Sequence, residues 1–178
     1  MCHKKDIISG DYAHNLGLIA TGGKDNLVRI WEYERMKHDN EIIAHKDEVT
    51  TVKFLKPFPL LMTADSKGVM YIWYINHPDG KKCVLKWINK FSMEIDIPIS
   101  AVDSHYDPDT GKFLLLIGDE KGEVKIQDIT AIITHYDLKP VDIVTGDPKR
   151  NPTRYKPIEN YSLDSAVEDG DNQSEMET

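Results

Sequence analysis

Apolar positions over the first three-quarters of the chain fall into short runs separated by turn-forming residues, not at helical spacing. Val49–Phe54 (VTTVKF) is rich in β-branched and aromatic residues, and the prolines of KPFP then break the ladder because they cannot donate. Leu60–Thr63 predicts a second strand. DSKG (65–68) predicts a turn in which Gly68 is free to take positive φ. Val69–Ile75 predicts a third strand: Val69, Tyr71 and Trp73 alternate with Met70 and Ile72, so both faces are apolar, as in a buried strand. Cys83–Phe91 predicts a fourth.

The pattern is written more than once. Residues 3–34 align without a gap on residues 45–76, a shift of 42. LIATGGKDNLVRIW (18–31) falls on LLMTADSKGVMYIW (60–73), so that His3 meets His45, Thr21 meets Thr63 and Trp31 meets Trp73. A third copy ends at LLLIGDEKGEVKIQ (114–127), shifted by 54 from the second. Insertions around HPDGKK and in DPDTGK (107–112) account for the longer shift. In the first copy the fourth strand is expected at 40–44. Four strands per 42 residues matches the length of a propeller blade, about 40–45 residues.

With those residues in view, the chain resembles the WD-repeat family of β-propellers, over residues 3–130. The resemblance implies a hydrogen-bonded tetrad in each blade: a His before the first strand, a Ser/Thr on the second, an Asp in the next turn, and the Trp. Carried over residue by residue, His3, Thr21, Asp25 and Trp31 fill it in copy one. Copy two offers His45, Thr63 and Trp73, with Lys67 where the Asp is expected. Copy three has Ile117, Lys121 and Gln127 at the three aligned positions, and no His opens it. The name-giving dipeptides are not literal, reading Trp31-Glu32 and Trp73-Tyr74. A buried indole, imidazole and hydroxyl that satisfy one another avoid about 1–3 kcal/mol apiece, so Asp25 with His3 reads as a structural pair and not a catalytic one.

The expected fold is all-β: an incomplete β-propeller of about three four-stranded antiparallel blades, plus a short helix and a disordered acidic tail. The expected divisions are residues 1–44 for blade one, 45–96 for blade two, 97–130 for a partial blade three, and 131–178 for the helix and tail or linker. Closed propellers need roughly 4–8 blades. The sequence therefore reads as part of a longer propeller, with a truncated gene product or a chain completed by a partner as the alternatives, and its open edges are expected to be covered by remaining blades or a partner chain. After Gln127 the period changes: Ile129, Ile132, Ile133 and Tyr136 predict a short amphipathic helix, with Asp128 or Thr130 as N-cap.

Charge sharpens this division. Of 30 acidic residues, seven lie beyond Lys156, the last basic position; the first 158 residues thus hold 22 basic against 23 acidic groups, a net of −1 out of −8. No basic stripe points to nucleic acid, and no apolar run approaches the roughly 20 residues of a membrane helix. Cys2 and Cys83 lie far apart, as in a reducing compartment, and the expected location is the cytoplasm. In the tail, Ser165 and Ser174 each precede an acidic residue by three, as an acidophilic kinase prefers.

Rival chemistries are weaker. Met1-Cys2-His3 has the spacing of a square-planar copper or nickel site, yet His3 is explained by the repeat. DPDTGKFLLLIGD starts like a calcium loop but has Lys112 and Gly118 where Gly and Glu belong. Asp103-Ser104-His105 alternates on one strand and cannot form a relay. The expectation is therefore a non-catalytic protein–protein scaffold with no cofactor and no metal, whose contact turns hold Lys24, Asn26, Ser66, Lys67, Glu120 and Lys121. Residues 44–73 look most like WD-repeat proteins of motile cilia and axonemes, which extends the expected location to the cilium. The alternative is a regulatory adaptor that recruits substrates or phosphopeptides, with the acidic tail as its tunable segment.

Overall fold

The computed structural model describes residues 2–76, 83–92 and 97–141, with the backbone alone at 91 and 92. The tail beyond 141, with Ser165 and Ser174, lies outside the described residues, as does the HPDGKK insertion.

Three antiparallel sheets follow one another along the chain. The first runs β1 (Ile7–Ala13), β2 (Leu18–Gly23), β3 (Val28–Glu32), β4 (Lys37–Ile42) in space as in sequence. The second runs β5 (Val49–Phe54), β6 (Leu60–Asp65), β7 (Val69–Asn76), β8 (Val84–Ser92). The third has three strands, β9 (Ile99–Tyr106), β10 (Phe113–Asp119) and β11 (Val124–Asp128). The first strand of each sheet sits beside that of the next, β5 touching both β1 and β9. The fold is an arc of an all-β propeller.

The repeats share their irregularities as well as their strands. The ladder slips between Ile30 and Trp31 in the first sheet and between Ile72 and Trp73 in the second. β4 opens at Lys37, three residues before the expected start, because the ladder resumes beyond this slip with Trp31 opposite His38 and Glu32 opposite Lys37.

Two apolar cores fill the spaces between sheets. At the first boundary Leu18, Ala20, Val28 and Ile30 meet Val49, Val52, Phe54, Leu61 and Trp73. The sheets approach closely at Gly22, where a Cβ would come within 2.5 Å of Val49 Cγ1. Polar contacts join the inner strands: the Val52 amide donates to Ser9 Oγ (3.1 Å) and the Phe54 amide to Asp11 Oδ2 (2.8 Å). At the second boundary Leu60, Met62, Ala64, Met70 and Ile72 meet Ile99, Phe113, Leu115 and Ile117. Each Val, Leu, Ile, Met or Phe among them, fully buried, contributes about 1.5–3 kcal/mol. The middle sheet is thus covered on both faces, which is why its third strand is apolar from Val69 to Ile75.

A short helix α1 (Thr130–His135) follows β11. Ile129 holds the cap position without a side-chain bond, but Asp128 Oδ1 accepts the Thr130 amide at 2.8 Å and so serves the first turn. Thr130 Oγ1 instead accepts the Phe113 amide (2.9 Å). Ile129 and Ile132 are buried, with Ile133 and Tyr136 packed beside them. The Val141 amide reaches Pro57 O at 2.8 Å, so this segment straps the third sheet to the second. In DPDTGK, Asp107 accepts the Asp109 and Thr110 amides and the Thr110 hydroxyl, with Gly111 at φ 69°; its carboxylate is engaged in shaping a turn.

Candidate protein-interaction surface

The first sheet is fastened by His3, Thr21, Asp25 and Trp31. Trp31 Nε1 donates to Thr21 Oγ1 (2.9 Å), His3 Nε2 lies 2.9 Å from the same hydroxyl, and His3 Nδ1 lies 2.8 Å from Asp25 Oδ1. A carboxylate only accepts, so Nδ1 carries a hydrogen; in the neutral ring Nε2 then accepts the Thr21 hydroxyl. Burial alone would raise the Asp25 pKa. Hydrogen bonds from His3, the Lys4 amide and Arg29 overcome it and hold the carboxyl far below its ordinary range.

Arg29, which sequence reasoning missed, is almost wholly buried on β3. Its guanidinium reaches Asp25 and Glu41, each at 3.0 Å. A charge in the apolar run LVRIW was the available signal, since a buried cation requires anionic partners.

In the second sheet Trp73 Nε1 donates to Thr63 Oγ1 (2.9 Å) and His45 Nε2 stands 2.8 Å from it. The aligned position, Lys67, does not close this set. Asp65, two residues earlier, does so, with Oδ2 2.9 Å from His45 Nδ1, while its other oxygen accepts the Lys67 and Val69 amides at 3.0 Å each. Burial pushes the Asp65 pKa up, and these hydrogen bonds bring it below the ordinary value. The position equivalent to Asp65 in the first sheet is Gly23, where a Cβ would fall 2.6 Å from Asp6 O. The aspartate there enters from the turn instead.

The third sheet keeps the turn but not the lock. Asp119 stands where Asp65 does and accepts the Lys121 and Glu123 amides at 2.9 and 3.0 Å. Buried Ile117 replaces the threonine, and exposed Gln127 replaces the indole. The shared letters Asp-x-Lys-Gly (65–68 and 119–122) were the sequence signal for this aspartate. The glycines take φ 74° and 83°, and Asn26 supplies φ 65° in the first sheet.

The six turn residues lie in the three hairpins between second and third strands, which the common topology places at one end of the sheets. They differ in exposure. Lys24 Nζ pairs with Asp6 (3.1 Å), and Asn26 Nδ2 donates to Lys46 O (2.6 Å), tying the first hairpin to the second sheet. Ser66 is half-buried, its amide on Glu48 O (2.9 Å). Lys67, Glu120 and Lys121 are exposed. The hairpins form a polar rim on a framework whose buried polar groups face one another.

No family model matches the chain. It is 26% identical over 148 residues to pre-mRNA-processing factor 19 homolog 2 of Arabidopsis thaliana, covering 76% of this chain and 27% of that protein. It therefore spans about a quarter of the length of that curated relative. Among solved structures it is similar to Saccharomyces cerevisiae Sqt1, at 19% identity and a TM-score of 0.49, covering 70% of this chain and 34% of that one. The residues that carry the WD-repeat resemblance in the sequence, His3, Thr21, Asp25 and Trp31 and then His45, Thr63 and Trp73, lie in mutual contact within their sheets.

Proposed function

We propose that this chain is a non-catalytic protein-interaction module of the WD-repeat kind, presenting the hairpin rim to other proteins. One observation carries the reading. Both His–Asp pairs have buried side chains with their imidazoles directed at Thr21 and Thr63, so they brace the sheets. The WD-repeat resemblance supports it, since such propellers generally hold other proteins. Placement in a ciliary assembly rests on the phrasing of residues 44–73 alone, and a cytoplasmic location on the cysteine usage. The proposed blades follow the expected divisions, 1–44, 45–96 and 97–130.

The test is affinity capture from cell extract with the full chain, beside a variant carrying Ser66→Ala, Lys67→Ala, Glu120→Ala and Lys121→Ala. The variant should melt as wild type and lose its captured proteins. An unchanged set of captured proteins would remove the rim from the reading. Deletion of residues 159–178 separates the alternative, because only a tail-dependent adaptor loses partners with the tail.

A further inference from the structure

The outer strand of the second sheet carries an aromatic notch that neither the lock nor the rim uses. Trp87 stands opposite Trp73 in the β7–β8 ladder, so both rings lie on the face turned to the first sheet. Trp73 is 8% exposed and Trp87 46%. Tyr71 makes the floor between them. Its ring lies 5.6 Å from Trp73 and 6.3 Å from Trp87, crossing the latter at 79°, and His45 of the lock meets it edge-on at 4.9 Å. Lys90 Nζ stands over the Tyr71 ring, 5.4 Å from its centre. Lys90 is exposed, and among the described residues no carboxylate pairs with it. The notch thus sets an open indole beside a cation that has no anion.

The strap after α1 leads the chain to the same boundary. Val141 packs on the first core together with Tyr71 and Leu85, and its amide is bonded to Pro57 O in the β5–β6 connection. β7 and β8 are joined at that end of the sheet too. From Val84 to Lys90 is about 20 Å along β8, and residues 142–158 can reach up to about 55 Å. Beyond them, 159–178 holds seven acidic residues and no basic one. Within it Leu163-Asp164 and Val167-Glu168 each set an apolar side chain beside a carboxylate.

We propose that the acidic segment 159–178 docks in this notch within its own chain, an apolar side chain covering Trp87 and a neighbouring carboxylate pairing with Lys90. Charge alone does not select the site: Lys86 carries the same charge but stands opposite Tyr74, on the other face of β8. A ligand tethered to its site is present at an effective concentration of about 1 mM, so a contact as weak as about 0.1 mM stays made about nine-tenths of the time. The segment is then a ligand of its own second blade, withheld from other proteins until it is displaced. This inference rests neither on the rim nor on what the rim binds.

Hydroxyl-radical footprinting of the full chain, read by mass spectrometry, follows Trp87, with buried Trp73 as the internal control for the fold. Neutralising the segment with Asp164→Asn, Glu168→Gln and Asp169→Asn should raise Trp87 oxidation at least about threefold and leave Trp73 unchanged. Lys90→Glu should do the same, and Lys86→Glu should not. Combining Lys90→Glu with Asp164→Lys and Glu168→Lys should restore the wild-type protection, an outcome that no loss of fold produces. Salt at about 0.5 M should raise Trp87 oxidation in the wild type, since it screens an exposed ion pair. Equal Trp87 oxidation in the wild-type and neutralised chains overturns the proposal, as does a charge-swapped chain that stays as open as Lys90→Glu alone. Lys86→Glu acting as strongly as Lys90→Glu overturns it too, because the attraction would then be to the whole strand. Should Trp73 also become oxidised in Lys90→Glu, Lys90→Gln carries the same comparison and the same overturning result.

Discussion

Replacing Thr63 by valine tests the claim that these hydrogen bonds hold the second blade together. Valine keeps the shape and removes one oxygen. That oxygen is buried and serves two groups, the Trp73 indole N–H at 2.9 Å and the His45 imidazole at 2.8 Å, both themselves buried. Each buried group left without a partner costs about 1–3 kcal/mol, offset in part because a hydroxyl no longer has to be desolvated. The expected loss is roughly 2–4 kcal/mol, a large share of the about 5–15 kcal/mol typical of a domain. Urea unfolding followed by tryptophan fluorescence reads it as a lower midpoint at unchanged slope. In the double variant Thr63→Val/Trp73→Phe the indole donor is gone, so Trp73→Phe should cost about 1 kcal/mol less there than in wild type. A single-variant loss under about 0.5 kcal/mol, or strict additivity of the two, would refute the reasoning.

Three further outcomes are expected. The Asp65 carboxyl is held below its ordinary pKa in the folded chain, so it adds stability above the unfolded value of about 4 that is lost as pH falls below it; Asp65→Asn should flatten the urea midpoint between about pH 5 and 2, and an unaltered profile would count against the His45 contact. Burial, and next to it the Asp39 carboxylate, push the Cys83 thiol far up, while Cys2 is exposed; a chromogenic disulfide should therefore titrate one thiol per native chain and a second only after denaturation. Ile132→Ala should destabilise by about 2–4 kcal/mol in urea if α1 belongs to the second core, and a silent substitution would detach it.

What the sequence by itself determined was local and periodic. The strands and the turn with Gly68 follow from alternation and φ preference, and the Trp–Thr–His trios from the resemblance at matched spacing. Those act within a few residues and were written twice at the same interval. The apolar periodicity of 129–136 likewise marked α1, although not where it docks. Only the tertiary structure decided which aspartate closes each lock. A Cβ at position 23 has no room against Asp6, so the first blade draws its carboxylate from the turn, and the second takes Asp65 from the strand end. It also decided that Arg29 is buried between two carboxylates, and that Asp11 accepts the Phe54 amide of the next sheet. The locks and the Asp11 contact depend on distances between segments about twenty or more residues apart, and the Arg29 contacts on neighbouring strands; a one-dimensional pattern carries residue types but not the space between them.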